Sequence, residues 1–142
     1  MRTIAIVPLL LLAFTLVGKS AHAENVLYCQ TELATGFYKD DETGRWDEGN
    51  FTERRWTIKF NDDYTVLKGL AKEGEYFCEQ PYQYIEPNVI ICREANGATT
   101  FLFDQKSLRF VYSNISLAAF TLDGWSGYVD TDTFYAGTCE KF

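Results

Sequence analysis

The chain has very little histidine, methionine or proline: one, one and three among 142 residues. His22, Met1 and Pro8 all fall in the first 23 residues, which read as an export leader. Arg2 supplies a positive n-region, residues 4–17 an apolar h-region, and Ala21-His22-Ala23 the small-x-small pattern before a cleavage point. Cleavage after Ala23 leaves residues 24–142 as the mature domain, with no histidine. That excludes Ser-His-Asp and Cys-His nucleophiles, a histidine general base, and histidine-ligated zinc or copper. No second long apolar run follows, so no membrane span is expected. No cysteine follows the cut directly, so no lipid anchor is expected either.

Basic residues are also scarce. The whole chain carries 13 Lys and Arg against 20 Asp and Glu, a formal charge of −7. The leader holds Arg2 and Lys19 and no acid, so the mature domain carries 11 against 20, or −9. Such a balance disfavours nucleic acid, which selects for a basic face, and gives no pull toward anionic lipid. It suits a basic protein partner, such as a lysozyme.

There is no C-x-x-C, so a thioredoxin-type pair or a zinc ribbon is not indicated. Cys29, Cys78, Cys92 and Cys139 are an even set in an exported chain, the composition of a domain with two disulfides. Four cysteines allow three connectivities. Cys29 lies in the first strand-like segment and Cys139 in the last, which favours a Cys29–Cys139 clasp and a Cys78–Cys92 staple.

Helical periodicity is missing from the mature part; the recurring signal is period two. Trp56, Ile58 and Phe60 alternate with Arg55, Thr57 and Lys59, placing Trp56, Tyr64 and Phe110 in the expected core. Asn61-Asp62-Asp63 turns the chain into a return strand at 64–68. Further strands are predicted at 74–79, 89–93, 99–103, 108–112, 116–122, 125–129 and 134–140. Asn96-Gly97 supplies a hairpin turn and Pro81 and Pro87 mark strand ends. Residues 25–39 read as a strand interrupted at Gly36; residues 40–50 are mostly polar, with Asp40, Asp41, Glu42 and Gly44 making a turn before Trp46. The expected fold is all-β: a single antiparallel meander of about eight strands, closed or partly open as a small barrel, with a sandwich as the alternative.

No catalytic motif is present, so an enzyme is not expected. Carboxylate-only glycoside hydrolysis trails as an alternative, since any chain this acidic offers many carboxylate pairs. Asp40, Asp41, Glu42, Asp47 and Glu48 surround Gly44 without the spacing of a calcium loop, and Asp123, Asp130 and Asp132 form a similar set. Both read as solvated acidic turns, and no metal or cofactor is called for. Trp46 and Trp125 sit beside glycine-containing turns where exposure is favoured. With Tyr128 they are the candidate contact residues, for a protein partner or for an apolar small molecule carried by the barrel.

The order of short motifs resembles a family of small exported four-cysteine proteins of proteobacteria, particularly alphaproteobacteria. The motifs are Leu27-Tyr28-Cys29, Ala34-Thr35-Gly36-Phe37, Gly44-Arg45-Trp46, Ile90-Ile91-Cys92-Arg93, Leu108-Arg109-Phe110 and Tyr135-Ala136-Gly137-Thr138-Cys139. The resemblance implies a bacterial, periplasmic location and lends no activity. Gly44-Arg45-Trp46 also resembles the G-x-W of lipocalin-like barrels, but there the motif lies in the opening strand. Ser126-Gly127-Tyr128 does not reproduce the signature of periplasmic lysozyme inhibitors.

Overall fold

The computed structural model describes residues 25–40, 42–70, 74–95, 98–115 and 131–142. The leader, the strands expected at 116–122 and 125–129, and the Asn96-Gly97 turn lie outside them. The described residues contain nine strands and no helix. They are β1 (Asn25–Lys39), β2 (Trp46–Asn50), β3 (Arg55–Phe60), β4 (Val66–Lys68), β5 (Glu75–Glu79), β6 (Val89–Glu94), β7 (Thr99–Asp104), β8 (Arg109–Asn114) and β9 (Thr131–Lys141).

From β3 to β9 each strand pairs antiparallel with the next, and β9 then pairs with β1, closing an eight-stranded barrel with β2 as an extra strand. Closure removes the exposed edges that an open sheet would present. The long β1 is its axis. One edge runs along β9 from Leu27↔Lys141 to Tyr38↔Thr131. The other edge pairs with β3 over 25–30 and with β2 over 35–39, and both belong to one unbroken register. Hence β2 is an outward prolongation of β3, and with the upper part of β1 and β9 it forms an arm that rises from the barrel.

One expectation from the sequence is corrected here. Gly36 does not interrupt β1; it pairs with both Gly49 and Thr133. The irregularity falls between Thr31 and Leu33, where β1 shifts by one residue against β9. At that level the buried Thr31 bonds the neighbouring chain, its Oγ1 accepting from Arg54 N at 2.7 Å and its N donating to Arg54 O at 3.0 Å. The turn before Trp46 is where the sequence places it, and the polar residues beyond it form a strand that the sequence did not predict, Trp46–Asn50. Its charged and glycine-rich composition gives no β signal of its own, and pairing to β1 decides the conformation. Strands β4 and β8 start later than expected, since Tyr64 and Leu108 adopt positive φ (57° and 58°) in the preceding turns.

Side chains alternate as period two requires. Leu27, Ile58, Phe60, Leu67, Tyr76, Ile90, Phe101, Phe103 and Phe110 are buried together in one core. Trp56 and Tyr64 are half-buried against it. Ring pairs fill the centre: Phe60 and Phe103 at 5.5 Å, Phe101 and Phe110 at 5.4 Å. Both disulfides join residues directly opposite in the ladder, Cys29–Cys139 across β1 and β9 and Cys78–Cys92 across β5 and β6. Their sequence separations are 110 and 14. In chain-entropy terms the first contributes about 4–5 kcal/mol and the second about 3 kcal/mol. Urea unfolding is expected to rank Cys29→Ala/Cys139→Ala below Cys78→Ala/Cys92→Ala in stability. The opposite order would mean that barrel closure does not depend on the clasp.

Gly137 lets β9 approach β1 at the bulge, since a Cβ there would stand 2.0 Å from Gln30 O. All the atoms it would meet belong to the β1 main chain, which cannot swing aside as a flexible side chain can. Gly137→Ala is therefore expected to cost about 2 kcal/mol or more, read as a lowered urea midpoint.

Candidate functional site

The barrel interior is the first place to look for a site, because small barrels bind ligands in their mouths. Here it is occupied by the chain's own side chains. Trp56 lies 5.7 Å from Phe110, 5.4 Å from Tyr112 and 5.7 Å from Tyr135, two of these contacts edge-on. Aromatic rings gain most in such tilted and edge-to-face geometry. An eight-stranded barrel is just wide enough for side chains to fill it. The core aromatics that alternation assigns are thus packing residues.

Toward the Thr99 end the interior turns polar. Thr99 Oγ1 donates to Glu94 Oε2 at 3.1 Å. The Arg54 guanidinium lies 5.4 Å from the centre of the Tyr135 ring, a cation–π contact. Burial pushes the Tyr76 hydroxyl up to about 12, with Tyr112 and Glu94 acting in the same direction and a hydrogen bond with Thr99 opposing them. Burial likewise raises Tyr112, against a hydrogen bond with Thr99 and the positive charge of Arg54. These phenols stay protonated at neutral pH and both hydrogen-bond with Thr99; they offer no general base.

The acidic turn is explained by local bonding. Asp40 Oδ1 accepts from Glu42 N at 3.1 Å and Thr43 N at 2.6 Å. Asp40 O accepts from Gly44 N at 2.8 Å, and Asp40 N donates to Arg45 O at 2.9 Å. The Thr43 bonds hold the Asp40 carboxyl below its ordinary value. This Asx-type turn reverses the chain between β1 and β2. Asp41 lies outside the described residues, as do Asp123 and Asp130. Among the described residues no three His, Cys, Asp or Glu side chains converge as metal ligands would.

The outer wall is different. Past the bulge, the outward positions of the arm are apolar. Leu33 pairs with Ala136, and Phe134 pairs with Thr35, one step along the same face. Phe37 follows opposite Glu48, and Trp46 opposite Lys39. On the far side Val111 pairs with Ala136. Diagonal neighbours on one face of a sheet are within reach of large side chains. Trp46, Phe37, Phe134, Leu33 and Val111 therefore form one stripe across β2, β1, β9 and β8. Leu33 is 59% exposed, Phe37 48%, Val111 45%, Trp46 40% and Phe134 37%. The inner face of the same arm is set by Phe51, whose ring packs where Gly36 and Gly49 carry no side chain.

Of the three contact residues expected from the sequence, Trp46 stands at the outer end of this stripe. Trp125 and Tyr128 lie outside the described residues. Sequence reasoning missed Phe37, Phe134 and Leu33, and it missed a second exposed cluster at Tyr82, Tyr84 and Ile85. Parity would have found the first set only with the one-residue shift at Thr31 in hand. No family model, no curated protein and no solved structure matches the chain.

Tyr76 yields a pH prediction. An unfolded tyrosine titrates near 10, and the folded one near 12. The folded state thus keeps a proton that the unfolded state has lost, so stability is full below pH 10 and falls as pH rises toward 12. Urea midpoints measured across that window should fall, and more shallowly in Tyr76→Phe. Parallel slopes would show that Tyr76 titrates normally.

Proposed function

We propose that the protein is an exported, non-enzymatic β-barrel of the periplasm that binds a basic protein partner through the outer face of its β2–β1–β9–β8 wall. The observation that carries this reading is the stripe itself. Five large apolar side chains stand side by side on one face, each more than a third exposed. Contiguous exposed apolar surface rimmed by polar groups marks an interaction site, whereas single exposed apolar residues do not. Glu48, Asp132 and Lys39 border the stripe, as the polar rim of an interface would.

The filled interior supports an outside contact over a carried ligand. The excess of acidic over basic residues favours a basic partner, through faster encounter and rejection of acidic competitors. Two disulfides fit an oxidising compartment. The leader pattern and the resemblance to exported four-cysteine proteins of proteobacteria narrow that compartment to the periplasm.

The test compares the wild-type protein with Phe37→Ser/Phe134→Ser as bait in periplasmic extract. Both positions face solvent, so the variant keeps its far-UV circular dichroism. A stoichiometric basic partner is expected on the wild type, with affinity lowered at least ~30-fold by the double variant, about 2 kcal/mol at an aromatic hot spot. No partner, or equal capture by both baits, overturns the reading. A small molecule retained in native mass spectrometry would point to the barrel interior instead.

A further inference from the structure

Residues 80–87, between β5 and β6, stand outside both the core and the ladder. Every one of them is exposed, so the segment leaves no side chain in the barrel. Tyr84, at 93%, is the most exposed large apolar side chain among the described residues, and its neighbour Ile85 is 79% exposed. The bonds that shape this tip run within the loop. Ile85 N and Glu86 N both donate to Tyr82 O, at 2.8 and 2.7 Å, and Val89 N donates to Glu86 O at 3.1 Å. Straightening the tip breaks these bonds and withdraws nothing from the core. A segment with so few buried contacts opens locally, at a small fraction of the cost of unfolding the domain.

That combination is what an endopeptidase requires, because its cleft takes up substrate as an extended strand and exposed loop tips are where nicking concentrates. Tyr28, Phe37, Tyr38, Trp46, Phe77 and Phe134 are exposed as well. Each of them, however, lies in a paired strand whose ladder bonds would have to break first. Within the loop, Tyr82 is 49% exposed, whereas the Tyr84 ring stands clear and can enter a deep apolar pocket. Pro81 and Pro87 both lie away from the bond after Tyr84, which Ile85 completes. A proline in place of Ile85 would block the cut.

We infer that the Tyr84–Ile85 peptide bond is a processing site for an endopeptidase of the chymotrypsin type, whose primary pocket is an apolar slot. Water adds across the bond. The carbonyl carbon of Tyr84 gains an oxygen and becomes a carboxylate, the C–N bond breaks, and Ile85 N becomes a new amino terminus. The two halves stay joined. Residues up to Tyr84 carry β1–β5 with Cys29 and Cys78, and those from Ile85 onward carry β6–β9 with Cys92 and Cys139. Both disulfides therefore cross the cut, as do the β1–β9 and β5–β6 pairings. The product is a two-chain barrel. The stripe on β2, β1, β9 and β8 includes no residue of the loop, so this inference does not rest on the partner-binding reading.

Chymotrypsin added to the disulfide-intact protein in native buffer tests it, with products read by mass spectrometry and by sequencing of new amino termini. A chain cut after Tyr84 is expected, heavier by one water and a single species until reductant separates its halves. Its far-UV circular dichroism should match that of the uncut protein. Tyr84→Ser should slow cleavage of this bond at least ~100-fold, and Tyr84→Phe should cleave as the wild type does, since the pocket reads the ring. Position 84 is at the surface, so both variants keep the barrel. Phe37→Ser/Phe134→Ser should be cut at the wild-type rate, so the two readings fail separately. A Tyr84–Ile85 bond left whole in the folded protein, an equal rate in Tyr84→Ser, or loss of the β spectrum on cutting overturns the inference.

Discussion

Everything in this molecule depends on β1 being paired along both edges. A strand of 15 residues takes β9 on one side and β3 with β2 on the other. Only this double pairing turns a meander of short hairpins into a closed barrel. It joins the two ends of the described chain, so its contacts are the most distant in sequence and the costliest in loop entropy. The Cys29–Cys139 bridge sits inside that same pairing, where a cross-link limits the freedom of the unfolded chain the most. The seam that is entropically hardest to close is thus the one that is covalently fixed.

The bulge at Thr31 turns the seam to a second use. Because side-chain direction has a period of two, a shift of one residue reverses which face each later residue occupies. Below the bulge the outward positions of β1 are Val26, Tyr28 and Gln30. Above it they are Leu33, Thr35 and Phe37. The apolar stripe therefore follows from the register shift, and the close approach of Gly137 at the same level accommodates it. One local irregularity both shapes the closure and determines what the arm shows to solvent.

Most of the fold was legible in the sequence because most strands are short, amphipathic and bounded by turn residues. Trp56, Ile58 and Phe60 against Arg55, Thr57 and Lys59 is a pattern that burial reproduces almost position for position. What escaped had physical reasons. Trp46–Asn50 contains two acids and a glycine, and it is a strand only because β1 extends far enough to receive it. Gly36 looked like a break, yet its lack of a side chain admits the Phe51 ring and the Asp132 carbonyl. Tyr84 and Ile85 read as ordinary members of an aromatic-rich chain. Their exposure comes from a loop held by the Tyr82 carbonyl and the bridge behind it, which no alternation pattern encodes. Trp46 was legible as exposed, but not as the end of a stripe.

A small barrel whose centre is packed with aromatics has little freedom to act from within. Moving Trp56 would disturb Phe110, Tyr112 and Tyr135 together, and close-packed interiors resist such changes. Chemistry and recognition are then left to the outside. There the acidic surplus and the apolar surfaces balance one another. Net negative charge keeps a protein with exposed Phe37, Leu33, Tyr84 and Ile85 soluble, because approach of like-charged copies in arbitrary orientations is repelled. On the proposed reading, association is left to partners of opposite charge. On that reading, the charge that argued against nucleic acid and lipid also makes the exposed apolar stripe selective.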